Sequence, residues 1–314
     1  MTKAKLSEKI GYGFGDMSSS MFWKIFSYYL PFFYSNIFGL SLAHAGTLLL
    51  VTKLYDAISD PVMGLIADRT STRWGKYRPY LLWIALPFAI AGILAFYTPQ
   101  TDNYTFKHIY AYVTYILMMT VYTAINVPYG AMLGVVTDDS REKSVFSSFR
   151  MFFAFIGSFI SMGIFEPLLR LRSSVLGTLP EKWTIADSAP LDWTIALTVI
   201  GTICAVLFFL TFAMTREHVT ESEMAKAEET HKEEKKNSIM EDLKALFCNA
   251  PWWLLLGGGI SLLLFNCIRG GAAAYYFADV LGVKAIYTLA IFLTVGEISQ
   301  LVGVVVTVPV SEKI

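Results

Sequence analysis

Apolar residues in this 314-residue chain gather into long blocks, with polar residues in the stretches between them. A helix needs about 20 residues to cross the hydrocarbon of a bilayer. Eight blocks have suitable lengths, roughly 10–37, 42–67, 79–98, 108–136, 146–169, 193–214, 252–281 and 286–310. Backbone polar groups in lipid must be satisfied within the segment, so spans of this kind are helices. The pattern predicts an all-α, polytopic membrane protein in contact with a lipid bilayer.

The polar stretches give the spans a direction. With the N-terminus inside, the inner stretches hold fifteen basic residues: Lys3, Lys5, Lys9, Arg69, Arg73, Lys76, Arg78, Arg141, Lys143, Arg216 and five lysines of the loop that follows. The outer stretches hold five, Lys107, Arg170, Arg172, Lys182 and Lys284. Lys and Arg are retained on the cytoplasmic side. This predicts a cytoplasmic N-terminus in a bacterial-type inner membrane. The mixed-charge stretch 216–250 reads as a solvated linker. The N-terminus is short and basic and offers no cleavable leader.

Composition agrees with the pattern. Hydrophobic residues make up 55% and charged residues 16%, against about 45–50% and about 25% in soluble domains. A net charge of +0 suggests no nucleic-acid partner. Cys204, Cys248 and Cys267 have no metal or redox spacing and read as packed thiols. Small residues of the fifth span (Gly157, Ser158, Ser161 and Gly163) read as close helix packing.

Two acids break the apolar pattern. Asp56 and Asp60 lie one turn apart within TLLLVTKLYDAISDPVMGLIA, Thr47 to Ala67. A charge in hydrocarbon costs from about 3 to more than 10 kcal/mol, so such residues face a bundle interior or a water-filled path. Positions i and i+4 share a helix face, and Lys53 shares it too. Two acids against one base leave spare negative charge, which suits a cation. A proton needs only one carboxylate, whereas sodium wants several hard oxygen ligands. The bland alternative is an ion-paired cluster with Arg150 that only holds helices together.

PFFYSNIFGL (Pro31 to Leu40) and AYYFADVLGV (Ala274 to Val283) match in pattern at an offset of 243. Span 7 then restarts the plan of span 1, as in transporters built from two six-helix halves. The expected organisation is a six-helix bundle over 1–215, a cytoplasmic linker over 216–250, and the start of a second bundle over 251–314. Eight of twelve expected helices are then present.

The loop GLIADRTSTRWGKYRPYL (Gly64 to Leu81) resembles the loop between helices 2 and 3 of major facilitator proteins. YDAISDPVMG, YGFGD (Tyr12 to Asp16), INVPYGAML (Ile125 to Leu133) and SFRMFFA (Ser148 to Ala154) extend the likeness over nearly the whole chain. Together they resemble the glycoside–pentoside–hexuronide:cation symporters, a family that includes melibiose permease. The resemblance implies a major facilitator fold. It also implies import of a sugar or glycoside with a monovalent cation, sodium or a proton, through alternating access. It implies no enzymatic activity, no catalytic residue and no cofactor.

The resemblance assigns cation coupling to Asp56, Asp60, Ser59, Thr123 and Lys53, with Asp56 and Asp60 as the ligating carboxylates if the ion is sodium. It makes Gly64, Asp68, Arg69, Arg73 and Lys76 a conformational loop. Melibiose permease holds sugar through aspartates on helices 1 and 4. Ser20 and Asn126 align there, the neighbouring lysine becomes Ser19, and Asp16 falls one turn earlier. Asp16, Ser20, Asn126, Tyr129 and Arg150 are therefore the sugar-binding candidates. Asn126-Val127-Pro128 predicts a break in helix 4. Lys24 and Arg269, with Glu297 as counterion, lie near the same depth and suit an anionic sugar such as a hexuronide. Two other classes compete. One is a non-transporting sugar sensor. The other is a membrane prenyltransferase using Asp56 and Asp60 with Asp138 and Glu142.

Overall fold

The computed structural model describes residues 5–178, 180, 183–218, 247–280, 291–296, 298, 299 and 302. These are helical nearly throughout and include no strand beyond an isolated bridge between Thr72 and Gly75. In chain order the α-helices are α1 (Leu6–Phe32), α2 (Leu42–Asp68), α3 (Arg78–Trp83), α4 (Ala85–Ala95), α5 (Tyr104–Ala131), α6 (Leu133–Val136), α7 (Ser140–Val175), α8 (Pro190–Met214) and α9 (Ala250–Tyr275). Seven of the eight predicted blocks correspond to them. The eighth, 286–310, lies mostly outside the described residues, as do Glu297 and most of the 216–250 linker.

By length and apolarity alone, four described helices are able to cross a membrane: Tyr104–Val136, Arg141–Val175, Pro190–Met214 and Ala250–Ala273. At 27 residues each, α1 and α2 are as long, about 40 Å at 1.5 Å per residue. Charged residues are spread along both, Glu8, Lys9, Asp16 and Lys24 on α1 and Lys53, Asp56, Asp60 and Asp68 on α2. The third block is split between α3 and α4 at Ile84. Pro87, three residues on, has no N–H to give the carbonyl of Trp83. The break predicted at 126–128 falls later. Helix α5 continues through Pro128 to Ala131 and turns at Met132 before α6.

The core is organised around α1, which packs chiefly on α7 and α8. Gly157 brings the α1 and α7 backbones together, since a Cβ there would stand 2.4 Å from the Met17 carbonyl oxygen. Close approach through small residues is how helices associate without a hydrophobic driving force between them. Ser158 and Ser161 are buried in the same seam, while Gly163 faces open space. At one end of the bundle Tyr29, Phe33, Phe96, Phe165 and Trp193 stack together, tying α1, α4, α7 and α8. Cys204 is packed as expected; Cys248 and Cys267 are exposed.

Helix α2 is attached differently. It leans on α5 and leaves Leu50, Leu54, Ile58 and Leu65 exposed. Helix α9 meets α1, where Gly270 makes room for Tyr28 and Ser35 Oγ lies 2.8 Å from Tyr275 Oη.

The internal repeat has a backbone counterpart. Helix α1 ends in a π-helical segment, Phe33–Ile37, and α9 in another, Tyr276–Val280. Their separation (276 − 33 = 243) equals the offset of the sequence match. Single π turns are rare, so their recurrence at matching positions supports one plan used twice.

Candidate functional site

Two groups of polar side chains sit within the helices. The first lies between α2 and α5. Asp60 accepts a 2.8 Å hydrogen bond from Thr123 Oγ1, and Lys53 Nζ lies 3.1 Å from Asp56 Oδ2. The other oxygen of Asp56, Oδ1, is buried and has no hydrogen-bond partner among the described residues. A buried acceptor left without a donor costs about 1–3 kcal/mol and calls for an explanation. Lys53 holds its ammonium 4.5 Å from the centre of the Trp23 ring. Tyr55 extends the α2–α5 contact, its hydroxyl 2.8 Å from Thr120 Oγ1. The Ser59 hydroxyl donates to the backbone carbonyl of Asp56 at 3.4 Å.

The structure thus brings together Lys53, Asp56, Asp60 and Thr123, with Ser59 bonded to the backbone of Asp56. Its charge count is two carboxylates against one ammonium. Arg150 is not part of it, which removes the ion-paired cluster that would have joined Arg150 to Asp56 and Asp60. The orphaned Asp56 oxygen, the Asp60 carboxylate and the Thr123 hydroxyl are hard oxygen donors of the kind a small cation binds.

The second group lies between α1, α5 and α7. Arg150 Nε donates to Asp16 Oδ2 at 3.1 Å, and the guanidinium stacks 5.1 Å from the Tyr129 ring. Asn126 is also in this region. Its Oδ1 accepts from Ser19 Oγ at 2.7 Å, and its Nδ2 donates to the Tyr122 carbonyl at 3.0 Å. Ser19, one position before the serine singled out in the sequence, is therefore the helix 1 partner of Asn126. Ser20 is half-buried, and its hydroxyl makes no hydrogen bond among the described residues.

Tyr129 is positioned for packing. It is fully buried, its hydroxyl donates to the Tyr12 carbonyl at 2.6 Å, and the two rings stack at 4.8 Å. Tyr12 returns a bond to the Tyr129 carbonyl at 3.2 Å. The pair clamps α1 to α5 and supports Arg150 from behind.

Trp23 was missed in the sequence and joins the two groups. It is 39% exposed, its ring lies 5.5 Å from that of Tyr122, and it sits under Lys53. Asp16, Ser20 and Trp23 fall at i, i+4 and i+7, so the helical period had placed it on one face with the candidates. An exposed indole beside polar groups is the kind of surface on which a sugar ring stacks.

The loop after α2, to which the resemblance assigns a conformational role, is held by its own side chains. Asp68 Oδ1 accepts from Tyr77 Oη at 2.7 Å and lies 3.5 Å from Lys76 Nζ. Arg73 stacks on Trp74 at 4.4 Å, and Arg69 caps the exposed end of α2. Gly64 faces Val127 of α5. On α9, Arg269 lies between Phe265 and Phe292 and lines a cavity of about 540 Å³ with Phe277 and Gly296. None of the cation-group residues lines that cavity. Glu142, once paired with Asp138 as a possible metal motif, instead holds Lys9 at 2.8 Å.

Comparison with known proteins extends these findings. A family model described as MFS/sugar transport protein matches residues 11–314. The chain is 37% identical to a provisionally named glycoside/cation symporter of Escherichia coli (strain K12), over 96% of this chain and 60% of that one. It is 35% identical to an inner membrane symporter of the same strain, over 98% and 61%. It is 32% identical to an isoprimeverose transporter of Lactiplantibacillus pentosus, over 92% and 58%. The chain therefore spans about three-fifths of the length of the relatives it matches.

Proposed function

The chain belongs to the MFS/sugar transport protein family, and from that membership we propose that it works in a carrier importing a glycoside, pentoside or hexuronide by symport with sodium or a proton. It is an all-α, multi-pass membrane protein of that family, whose members are transporters. The inner membrane and a cytoplasmic N-terminus are the proposed setting, supported by the excess of basic residues on one side. The domain plan is likewise proposed: a six-helix bundle over 1–215, a linker over 216–250 and a second bundle beginning at 251.

The observation that carries the reading is the spare negative charge between α2 and α5. Asp56 and Asp60 face one lysine, and one Asp56 oxygen has no donor among the described residues. Asp56, Asp60 and Thr123 would hold the cation; for sodium, Ser59 would add a further oxygen, whose lone pairs stay free while its proton is donated to the backbone. Lys53 would hold the first carboxylate in place. The sugar would meet Asp16, Arg150, Asn126 and Ser20, with Trp23 as a stacking surface and Tyr129 supporting Arg150. The loop over Gly64, Asp68, Arg69, Arg73 and Lys76 would take part in the change of access.

Coupling follows from charge. A carrier with a bare site charge in the bilayer resists reorientation. A bound cation neutralises that charge and favours the state that binds sugar. By linkage the sugar raises cation affinity by the same factor.

Equilibrium sugar binding to the full-length protein tests this. A panel of glycosides and uronides is titrated with and without sodium, and at two pH values. The expected result is one sugar whose Kd tightens roughly 5–150-fold with the coupling cation, matched by the reciprocal shift in cation affinity. Identical sugar affinity under all conditions would sink the proposal. Binding without any movement of sugar into vesicles would make the protein a sensor.

A further inference from the structure

The residues just after α8 are tied into the loop between α2 and α3. Glu217 accepts three backbone hydrogen bonds, from Lys76 N at 2.7 Å, Tyr77 N at 2.8 Å and Arg78 N at 2.9 Å. Successive N–H groups converge on one anion only where the chain forms a concave nest around it. Gly75 makes that nest. Its φ is +111°, and a Cβ at this position would stand 2.4 Å from Glu217 Cδ. The position therefore needs glycine both for its backbone angle and for the space.

Further bonds converge on the same place. Arg78 donates to the Phe212 carbonyl at 2.7 Å and stacks on the Phe212 ring at 4.8 Å. His218 N donates to the Val135 carbonyl at 2.9 Å, and its Nε2 lies 2.9 Å from Glu8 Oε1. The end of α8 thus gathers the start of α1, the end of α6 and the loop that carries Asp68 and Lys76.

We propose that Glu217 is a positioning residue that clamps the 68–78 loop to the end of α8, so that α2, α3 and α8 shift as one body when the carrier reorients. The proposal rests on the transport reading, and it concerns a residue that touches neither of the two polar groups described above. A carboxylate suits the role. Its two oxygens have lone pairs enough for three N–H donors, an amide has one acceptor oxygen, and alanine has none. Two substitutions far apart in sequence, Glu217→Ala and Gly75→Ala, then remove the same clamp by different means. Sites that act through one interaction are not additive, so the double variant is no worse than Gly75→Ala alone, whose backbone strain is a cost of its own.

The test uses the full-length protein in lipid vesicles with two readouts. The first is hydrogen exchange of the amides of Lys76, Tyr77 and Arg78. It is expected to quicken about tenfold in either alanine variant and in the double variant alike, with Glu217→Gln between them and the wild type. The second is sugar uptake, expected to slow about tenfold while sugar Kd stays within about twofold. Unchanged exchange in Glu217→Ala, losses that add in the double variant, or full uptake despite fast exchange would each overturn the proposal. Glu217→Gln serves where an alanine variant fails to fold. A wild-type protein that moves no sugar would defeat the transport reading instead, and the exchange result would still decide the clamp.

Discussion

Asp16 and the pair Asp56 and Asp60 are carboxylates set among apolar residues of the same bundle, yet their surroundings differ. Asp16 lies on the face of α1 that packs on α7, and it meets Arg150 one to one at 3.1 Å. Behind it the Tyr12–Tyr129 clamp and the Gly157 contact fix the helices. Asp56 and Asp60 lie on a helix with a long exposed flank, share one lysine, and leave an oxygen unpaired among the described residues. One site is neutral and braced; the other keeps a net charge on a lightly held helix. A charge to be neutralised by a passing cation belongs at the second. A fixed ion pair that orients hydrogen bonds toward a sugar belongs at the first.

The largest expected effect separates the two sites. Asp60→Asn removes the spare charge and should reduce gradient-driven sugar accumulation about a hundredfold, to simple equilibration. Exchange of labelled sugar across the membrane should persist. Accumulation that survives in Asp60→Asn and fails only in Asp16→Asn would reverse the assignment.

Asp16→Asn comes next. It leaves Arg150 without its charged partner, which should cost about 1–3 kcal/mol of stability and weaken sugar binding about tenfold, a change of about 1.4 kcal/mol. Thermal unfolding and sugar titration on the same sample read both. Sugar affinity within error of wild type would remove Asp16 and Arg150 from the sugar site.

Thr123→Val sharpens the contrast. It deletes one hydrogen bond to Asp60, worth about 1 kcal/mol, so the cation concentration for half-maximal uptake should rise roughly fivefold. Sugar affinity at saturating cation should not move. The smallest effect belongs to Tyr129→Phe. Losing the hydroxyl bond to the Tyr12 carbonyl should lower stability by about 1 kcal/mol, with sugar Kd within about twofold. A large loss of sugar affinity there would mean that Tyr129 leaves its clamp to bind sugar.

Much of this was legible in the sequence because the physics is local. Apolar blocks of span length must be helices in lipid, and acids one turn apart must share a face. The Asp60–Thr123 bond joins two residues that the resemblance had assigned to one group. Side-chain partners across helices were less legible. Arg150 had been set beside Asp56 and Asp60 in one reading, and only the packing of α1 on α7 pairs it with Asp16. Ser59 was assigned to the cation and Tyr129 to the sugar; only the packed structure shows that both hydroxyls donate their protons to backbone carbonyls. Pro128 suggested a break at its own position, while the helix turns one residue after Ala131. Glu217 drew no notice because it opens a stretch that reads as a linker, and its partners are backbone amides 140 residues earlier.

The most direct measurement uses the full-length protein in sealed vesicles with no gradient, with sodium and pH electrodes in the outer medium. Sugar is then added. Entry of sugar with alkalinisation, or with a fall in outside sodium, absent in Asp60→Asn, is the predicted result and identifies the ion. Entry of labelled sugar while neither electrode moves would contradict the account and leave Asp56 and Asp60 as structural acids.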